Sequence, residues 1–126
     1  MTRLALVEDN ADNRLLVRTI LEDRYGIDEY ETGVEALAGL ETDVPSLVLL
    51  DISLPVMDGT EVLRRIREHE RLHVLPVIAL TAHAMSGDRE KYLGMGFDAY
   101  VTKPILDESV LIGEIERLLA GRSGGG

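Results

Sequence analysis

The sequence predicts an α/β fold: one parallel sheet of five strands, covered by helices on both faces. Three observations predict it. Short apolar runs alternate with helix-period segments along the whole chain. Three of those runs, "LALV", "LVLL" and "VIAL", are continuously apolar, as expected of strands buried on both faces. The length of 126 residues, 45% of them hydrophobic, suits one domain with a full core.

Leu4 to Val7 form the first strand and end at Glu8-Asp9. "ADNRLLVRTILEDRYG" is a helix with Leu16, Val17, Ile20 and Leu21 on its inner face and Gly26 as its stop. "IDEY" is a weak strand. "TGVEALAGLE" is a helix facing inward through Val34, Leu37 and Ala38, and "SLVLL" is a strand. "GTEVLRRIREHE" is a helix with Val62, Leu63 and Ile66 inward and Arg64, Arg65 and Arg67 on a solvated face. "PVIAL" is a strand opened by Pro76, where a missing N–H does no harm. "SGDREKYLGMG" is a helix weakened by Gly87 and Gly94, and "DAYVT" is a strand. "DESVLIGEIERLLAG" is the last helix: Asp107 caps it, Leu111, Ile115 and Leu118 form its stripe, and Gly121 stops it. The domain is expected over residues 1–120, with 121–126 as a flexible tail.

Composition excludes several functions. A net charge of −10 and 4% aromatics argue against direct binding of nucleic acid or of an anionic membrane. The absence of cysteine removes disulfides, thiolate catalysis and zinc–thiolate sites. No apolar stretch approaches the ~20 residues of a membrane span, and no signal peptide stands at the N-terminus, so a cytoplasmic location is expected.

In an open parallel sheet, ligands sit beyond the carboxyl ends of the strands. The first strand exits into Glu8-Asp9, the third into Asp51, the fourth into Thr81 and the fifth into Lys103-Pro104. Three carboxylates, a hydroxyl and an ammonium therefore converge on one rim. Carboxylates that close repel, and a hard divalent cation relieves them; Mg²⁺ needs only one or two and fills its shell with water and phosphate oxygens. Lys103 offers a point charge and Thr81 a hydroxyl for a phosphoryl group. The set describes phosphoryl transfer onto Asp51. Asp51 alone would be ordinary turn chemistry, and Lys103 alone a surface lysine; four strand exits of one chemistry make the case together.

The segments "LVEDN", "LVLLDISLPVMDG", "VIALTAHA" and "DAYVTKPI" resemble the motif set of two-component response-regulator receiver domains, in order and spacing, from about Arg3 to Leu119. The resemblance implies a flavodoxin-like (βα)5 three-layer sandwich with strand order 2-1-3-4-5. It implies Asp51 as phosphoacceptor. Asp9, Asp51 and the Ser53 main-chain carbonyl would be the Mg²⁺ ligands (Mn²⁺ could substitute), and Glu8 would reach the metal through water. It implies Thr81 and Lys103 as phosphoryl contacts, Thr81 and Tyr100 as the switch pair, Ser53 and His83 as positions that tune phosphoryl lifetime, and a cis bond before Pro104.

The function so implied is a signalling switch, not an enzyme beyond acquiring and losing its own phosphoryl group. A histidine kinase or histidine phosphotransfer protein loads Asp51, and the face of the fourth helix, fifth strand and fifth helix carries the signal. The chain is expected to be a monomer, or a weak homodimer once phosphorylated. With Met1 just before the first strand and an end soon after the last helix, a stand-alone regulator is the leading expectation, and a receiver excised from a hybrid histidine kinase is the alternative. Two other classes fit less well. An Asp-nucleophile, metal-dependent phosphatase usually carries a second Asp where this chain has Ser53, and a flavin or nucleotide module needs a phosphate loop where this chain has "EDNAD".

Overall fold

A computed structural model describes residues 2–82 and 85–125, with side chains as far as Gly121. Five β-α units follow one another: β1 (Arg3–Val7), α1 (Ala11–Leu21), β2 (Gly26–Tyr30), α2 (Gly33–Thr42), β3 (Leu47–Asp51), α3 (Gly59–Glu68), β4 (Val77–Thr81), α4 (Asp88–Met95), β5 (Ala99–Thr102) and α5 (Glu108–Gly125). The sheet is parallel throughout, in the order β2-β1-β3-β4-β5. That is the flavodoxin-like order the motifs imply. Among the described residues no helix is long and apolar enough to cross a membrane.

Two cores lie on opposite faces of the sheet, and the period-2 alternation of the strands divides them. Leu4, Leu6, Leu47, Leu49, Ile78 and Leu80 point to the α1/α5 face, where they meet Val17, Leu21, Leu111 and Ile115. Ala5, Val7, Val48, Leu50, Val77 and Ala79 point to the other face, where they meet Ala36, Leu40, Val62, Leu63 and Ile66. Every residue of β3 and β4 is buried, so those runs are apolar on both sides until they reach Asp51 and Thr81.

Three helices begin at side-chain caps. Asn10, Thr32 and Asp58 accept from the backbone N–H three residues on, at 3.0, 3.1 and 3.0 Å. Asp107 holds the start of α5 by accepting from the Ser109 N–H at 3.0 Å. α4 differs: Gly87, at φ +88°, stands at its cap position and offers no side chain, no residue of the helix is buried, and Gly96 ends it at φ +116°.

Four sequence expectations shift. α1 ends at Leu21, and Gly26 opens β2 instead of stopping the helix. Its N–H donates to the Thr2 carbonyl at 2.9 Å, and a Cβ there would lie 2.5 Å from the Arg3 guanidinium that crosses it. The inner stripe of α1 is Val17 and Leu21; Leu16, one residue before Val17 and so about 100° around the helix, is 39% exposed. α2 faces in through Gly33, Ala36 and Leu40, with Leu37 half-buried beside them, and Val34 and Ala38 lie outward because Gly33 packs directly against Val62 and Met57. α5 continues through Gly121 to Gly125, since glycine in a helix costs only about 1 kcal/mol and does not forbid the turn.

Arg67 departs from the solvated face assigned to it. Its guanidinium donates to the carbonyls of Gly96 (2.7 Å), Leu75 (2.6 Å) and His73 (3.0 Å) and to Asp98 (2.9 Å). It thus ties the end of α3 to the turns that precede β4 and β5. Arg64 and Arg65 remain outward, paired with Glu61 and Glu68 along the helix.

The Thr60 hydroxyl and the Glu61 N–H hold the Asp58 carboxyl below the usual carboxylate range. A depressed carboxylate adds stability above its unfolded pKa and loses it as pH falls through the folded one. Asp58→Ala should therefore cost about 1 kcal/mol at neutral pH. The gap to wild type should close below roughly pH 4, as read by urea denaturation at a series of pH values.

Candidate functional site

The site is built where β1, β3, β4 and β5 end. Glu8 follows β1, Asp51 closes β3, Thr81 closes β4, and Lys103 follows β5. Glu8, Asp51 and Thr81 are almost wholly buried, at 1%, 2% and 3% exposure, whereas Asp9 is exposed. Carboxylate oxygens of Glu8, Asp9 and Asp51 lie within 4.8 Å of one another. The Lys103 Nζ stands 2.7 Å from Glu8 Oε1 and 3.1 Å from Asp51 Oδ2. Residues 95 positions apart thus share one hydrogen bond.

Backbone N–H groups fix the two buried carboxylates. Asn10 N–H donates to Glu8 Oε2 at 3.1 Å, and Ser53 N–H donates to Asp51 Oδ1 at 3.0 Å. The Lys103 N–H donates to the Thr81 carbonyl at 2.7 Å, and Thr81 pairs with Thr102 in the sheet register, so the β4 and β5 exits stay side by side. The bond before Pro104 is cis.

The loop from Ile52 to Asp58 turns sharply to carry Ser53 past Asp51. Val56 in it takes φ 66°, a left-handed conformation unusual for a β-branched residue, and is fully exposed. The loop is pinned where Gly59 N–H donates to the Ile52 carbonyl at 2.9 Å. Gly59 has no room for a side chain: a Cβ would lie 2.3 Å from the Asp51 carbonyl oxygen.

The electrostatics leave negative charge in excess. Two buried carboxylates share one ammonium, with a third carboxylate beside them. Burial, foremost, pushes the Glu8 carboxyl up; the hydrogen bonds from Lys103 and Asn10 pull the other way, and the Asp51 charge adds to the rise. Burial alone would lower Lys103, but its hydrogen bond to Glu8 and the charges of Asp51 and Glu8 overcome this and raise it. An all-oxygen donor set carrying surplus negative charge fits a hard divalent cation such as Mg²⁺, with Asp9 at the open side.

Tyr100, on β5, is half-buried. Its ring stacks on Tyr92 of α4 at 5.9 Å between centroids, and its buried hydroxyl has no hydrogen-bond partner among the described residues. Tyr92 meets Phe97 edge-on at 6.0 Å. The structure thus brings Glu8, Asp9, Asp51, Thr81 and Lys103 together, with Ser53 beside Asp51 and Tyr100 one strand away on the α4 side. His83 lies outside the described residues. Sequence reasoning missed Gly59 as a steric requirement and Arg14, whose guanidinium reaches the carbonyls of Glu8 and Asp9. In the sequence Gly59 shows only as the end of "VMDG", and Arg14 only as a residue of the first helix.

The family model for the response regulator receiver domain matches residues 4–116, and the chain belongs to that family. Among its relatives, the polar-differentiation response regulator DivK of Brucella ovis is 42% identical over 101 residues, 79% of this chain and 82% of that one. The sensor histidine kinase GacS of Pseudomonas protegens is 38% identical over 112 residues, 86% of this chain but only 12% of the kinase. Among solved structures, the receiver domain of sensor histidine kinase PA1611 from Pseudomonas aeruginosa has a magnesium ion coordinated in its active site cleft. It superposes with a TM-score of 0.85 at 33% identity, covering 94% of this chain and 98% of that one. A CheY-like receiver domain protein from Methanospirillum hungatei gives 0.87 at 29% identity, covering 100% and 99%. This is a receiver domain of two-component signalling, and the family takes the place of the phosphatase and flavin readings.

Two outcomes follow from the packing and the charge excess. Gly59→Ala should destabilise the protein by about 1–3 kcal/mol, because backbone rather than a side-chain tip must yield; thermal denaturation checks this. Asp51→Asn should raise the melting temperature in EDTA by roughly 4 °C, about 1 kcal/mol for a chain of this size, by leaving Lys103 and Glu8 paired one to one. Added Mg²⁺ should then raise the melting temperature of the wild type more than that of the variant.

Proposed function

We propose that Asp51 is the phosphoacceptor of a switch loaded by the phosphohistidine of a histidine kinase or a histidine phosphotransfer protein. One observation carries this reading: Asp51 is buried at a strand end, 3.1 Å from Lys103 and grouped with Glu8 and Asp9. A carboxylate oxygen of Asp51 attacks phosphorus, the P–N bond breaks, and its electron pair returns to the imidazole. Asp9, Asp51 and the Ser53 carbonyl would hold Mg²⁺, with Glu8 reaching it through water. When bound, the metal neutralises charge on the transferring phosphoryl group.

The chain's own residues do the positioning. Ser53 N–H orients the Asp51 carboxylate, and Lys103 supplies charge to the phosphoryl oxygens as they arrive. Glu8 keeps the lysine at the pocket when no phosphoryl group is present. Loss of the phosphoryl group is hydrolysis of the acyl phosphate by water, at a rate tuned by the side chains of Ser53 and His83. The new charge draws the Thr81 hydroxyl toward it, Tyr100 follows, and the face of α4, β5 and α5 changes. A partner reads that face in the cytoplasm, and phosphorylation favours a weak homodimer.

The test is labelling by acetyl phosphate, followed by intact mass. The wild type should be labelled with Mg²⁺ or Mn²⁺ and not in EDTA, and Asp51→Asn should stay unlabelled. Full labelling of that variant would overturn the assignment.

A further inference from the structure

Arg14 stands in the first turn of α1, where its N–H donates to the carbonyl of the Asn10 cap at 3.0 Å. A cation there opposes the helix dipole, so its placement needs a return elsewhere. Its guanidinium folds back over the helix start. Nη1 donates to the Glu8 carbonyl at 2.9 Å and to the Asp9 carbonyl at 3.1 Å. Nη2 donates to Glu31 at 3.0 Å, and Nε lies 3.5 Å from Glu29. The Arg14 side chain is only 14% exposed.

We propose that Arg14 is a positioning residue for the metal-side acidic turn: its fork, braced by Glu29 and Glu31 of the sheet edge, fixes the Glu8–Asp9 backbone so that the Asp9 carboxylate faces Asp51. The inference rests on the Mg²⁺ reading above. Among the described residues no side chain holds the Asp9 carboxylate, so the direction of that carboxylate depends on its own backbone. A planar fork can hold two successive carbonyls and a carboxylate at once; an ammonium cannot match that geometry. The two glutamates offset the positive charge that would otherwise repel the cation.

Two variants separate positioning from charge. Arg14→Lys keeps the charge and loses the fork. Arg14→Gln removes a cation near a cation site, so simple Coulomb repulsion predicts tighter Mg²⁺ binding, whereas lost positioning predicts weaker binding. In an NMR titration of the full chain with MgCl₂, following the amides of Glu8, Asp9 and Asn10, both variants should bind Mg²⁺ about tenfold or more weakly. Arg18→Gln, which breaks the neighbouring pairs with Glu29 and Glu22, should bind like the wild type. Wild-type affinity in Arg14→Lys, tighter binding in Arg14→Gln, or an equal loss in Arg18→Gln would overturn the proposal. A wild-type chain whose amides give no saturable Mg²⁺ response would overturn the metal reading and this proposal together.

Discussion

One ammonium between two buried carboxylates organises the molecule. Lys103 reaches Glu8 and Asp51 at 2.7 and 3.1 Å, and so joins the exits of the first, third and fifth strands. Charges so deep would be prohibitive if unpaired, and a single lysine cannot satisfy both neighbours. The pocket therefore remains short of positive charge in the folded state. That shortage makes it receptive to a divalent ion, and it costs stability that the two aliphatic cores supply. The apolar runs of β3 and β4 are what carry Asp51 and Thr81 to this depth.

Much of this was legible in the sequence, and for a physical reason. Strands buried on both faces must be continuous apolar runs, so "LVLL" and "VIAL" declared themselves, and polar residues at their ends stood out against them. Once the sheet is parallel, those ends share one rim, and Glu8, Asp9, Asp51, Thr81 and Lys103 follow without knowledge of any contact. The helix stripes were less legible, because periodicity gives a face but not its phase. Val34 and Ala38 were placed inward, yet close packing of Gly33 on Val62 and Met57 turns Gly33 and Ala36 to the core instead.

The residues missed share another property: they act on backbone. Arg14 binds the carbonyls of Glu8 and Asp9, Arg67 binds those of His73, Leu75 and Gly96, and Gly59 is required by the carbonyl of Asp51. Sequence patterns report which side chains want burial. They carry no record of which carbonyl will lie within reach of a guanidinium, because that depends on turns between elements. Asp58-Gly59 could be read as a turn, but the closeness of its approach to Asp51 could not.

The Arg67 clamp and α4 lie on one face of the sheet, and they are held very differently. One guanidinium staples the end of α3 to the turns that feed β4 and β5. On the same face of the sheet, α4 buries no residue, lies between two left-handed glycines and rests on the Tyr92–Tyr100 stack. The clamp grips the Gly96 carbonyl and so ties the C-terminal end of α4 to α3. The Tyr92–Tyr100 stack and the Arg67–Gly96 contact thus tie this one exposed helix both to β5 and to the end of α3.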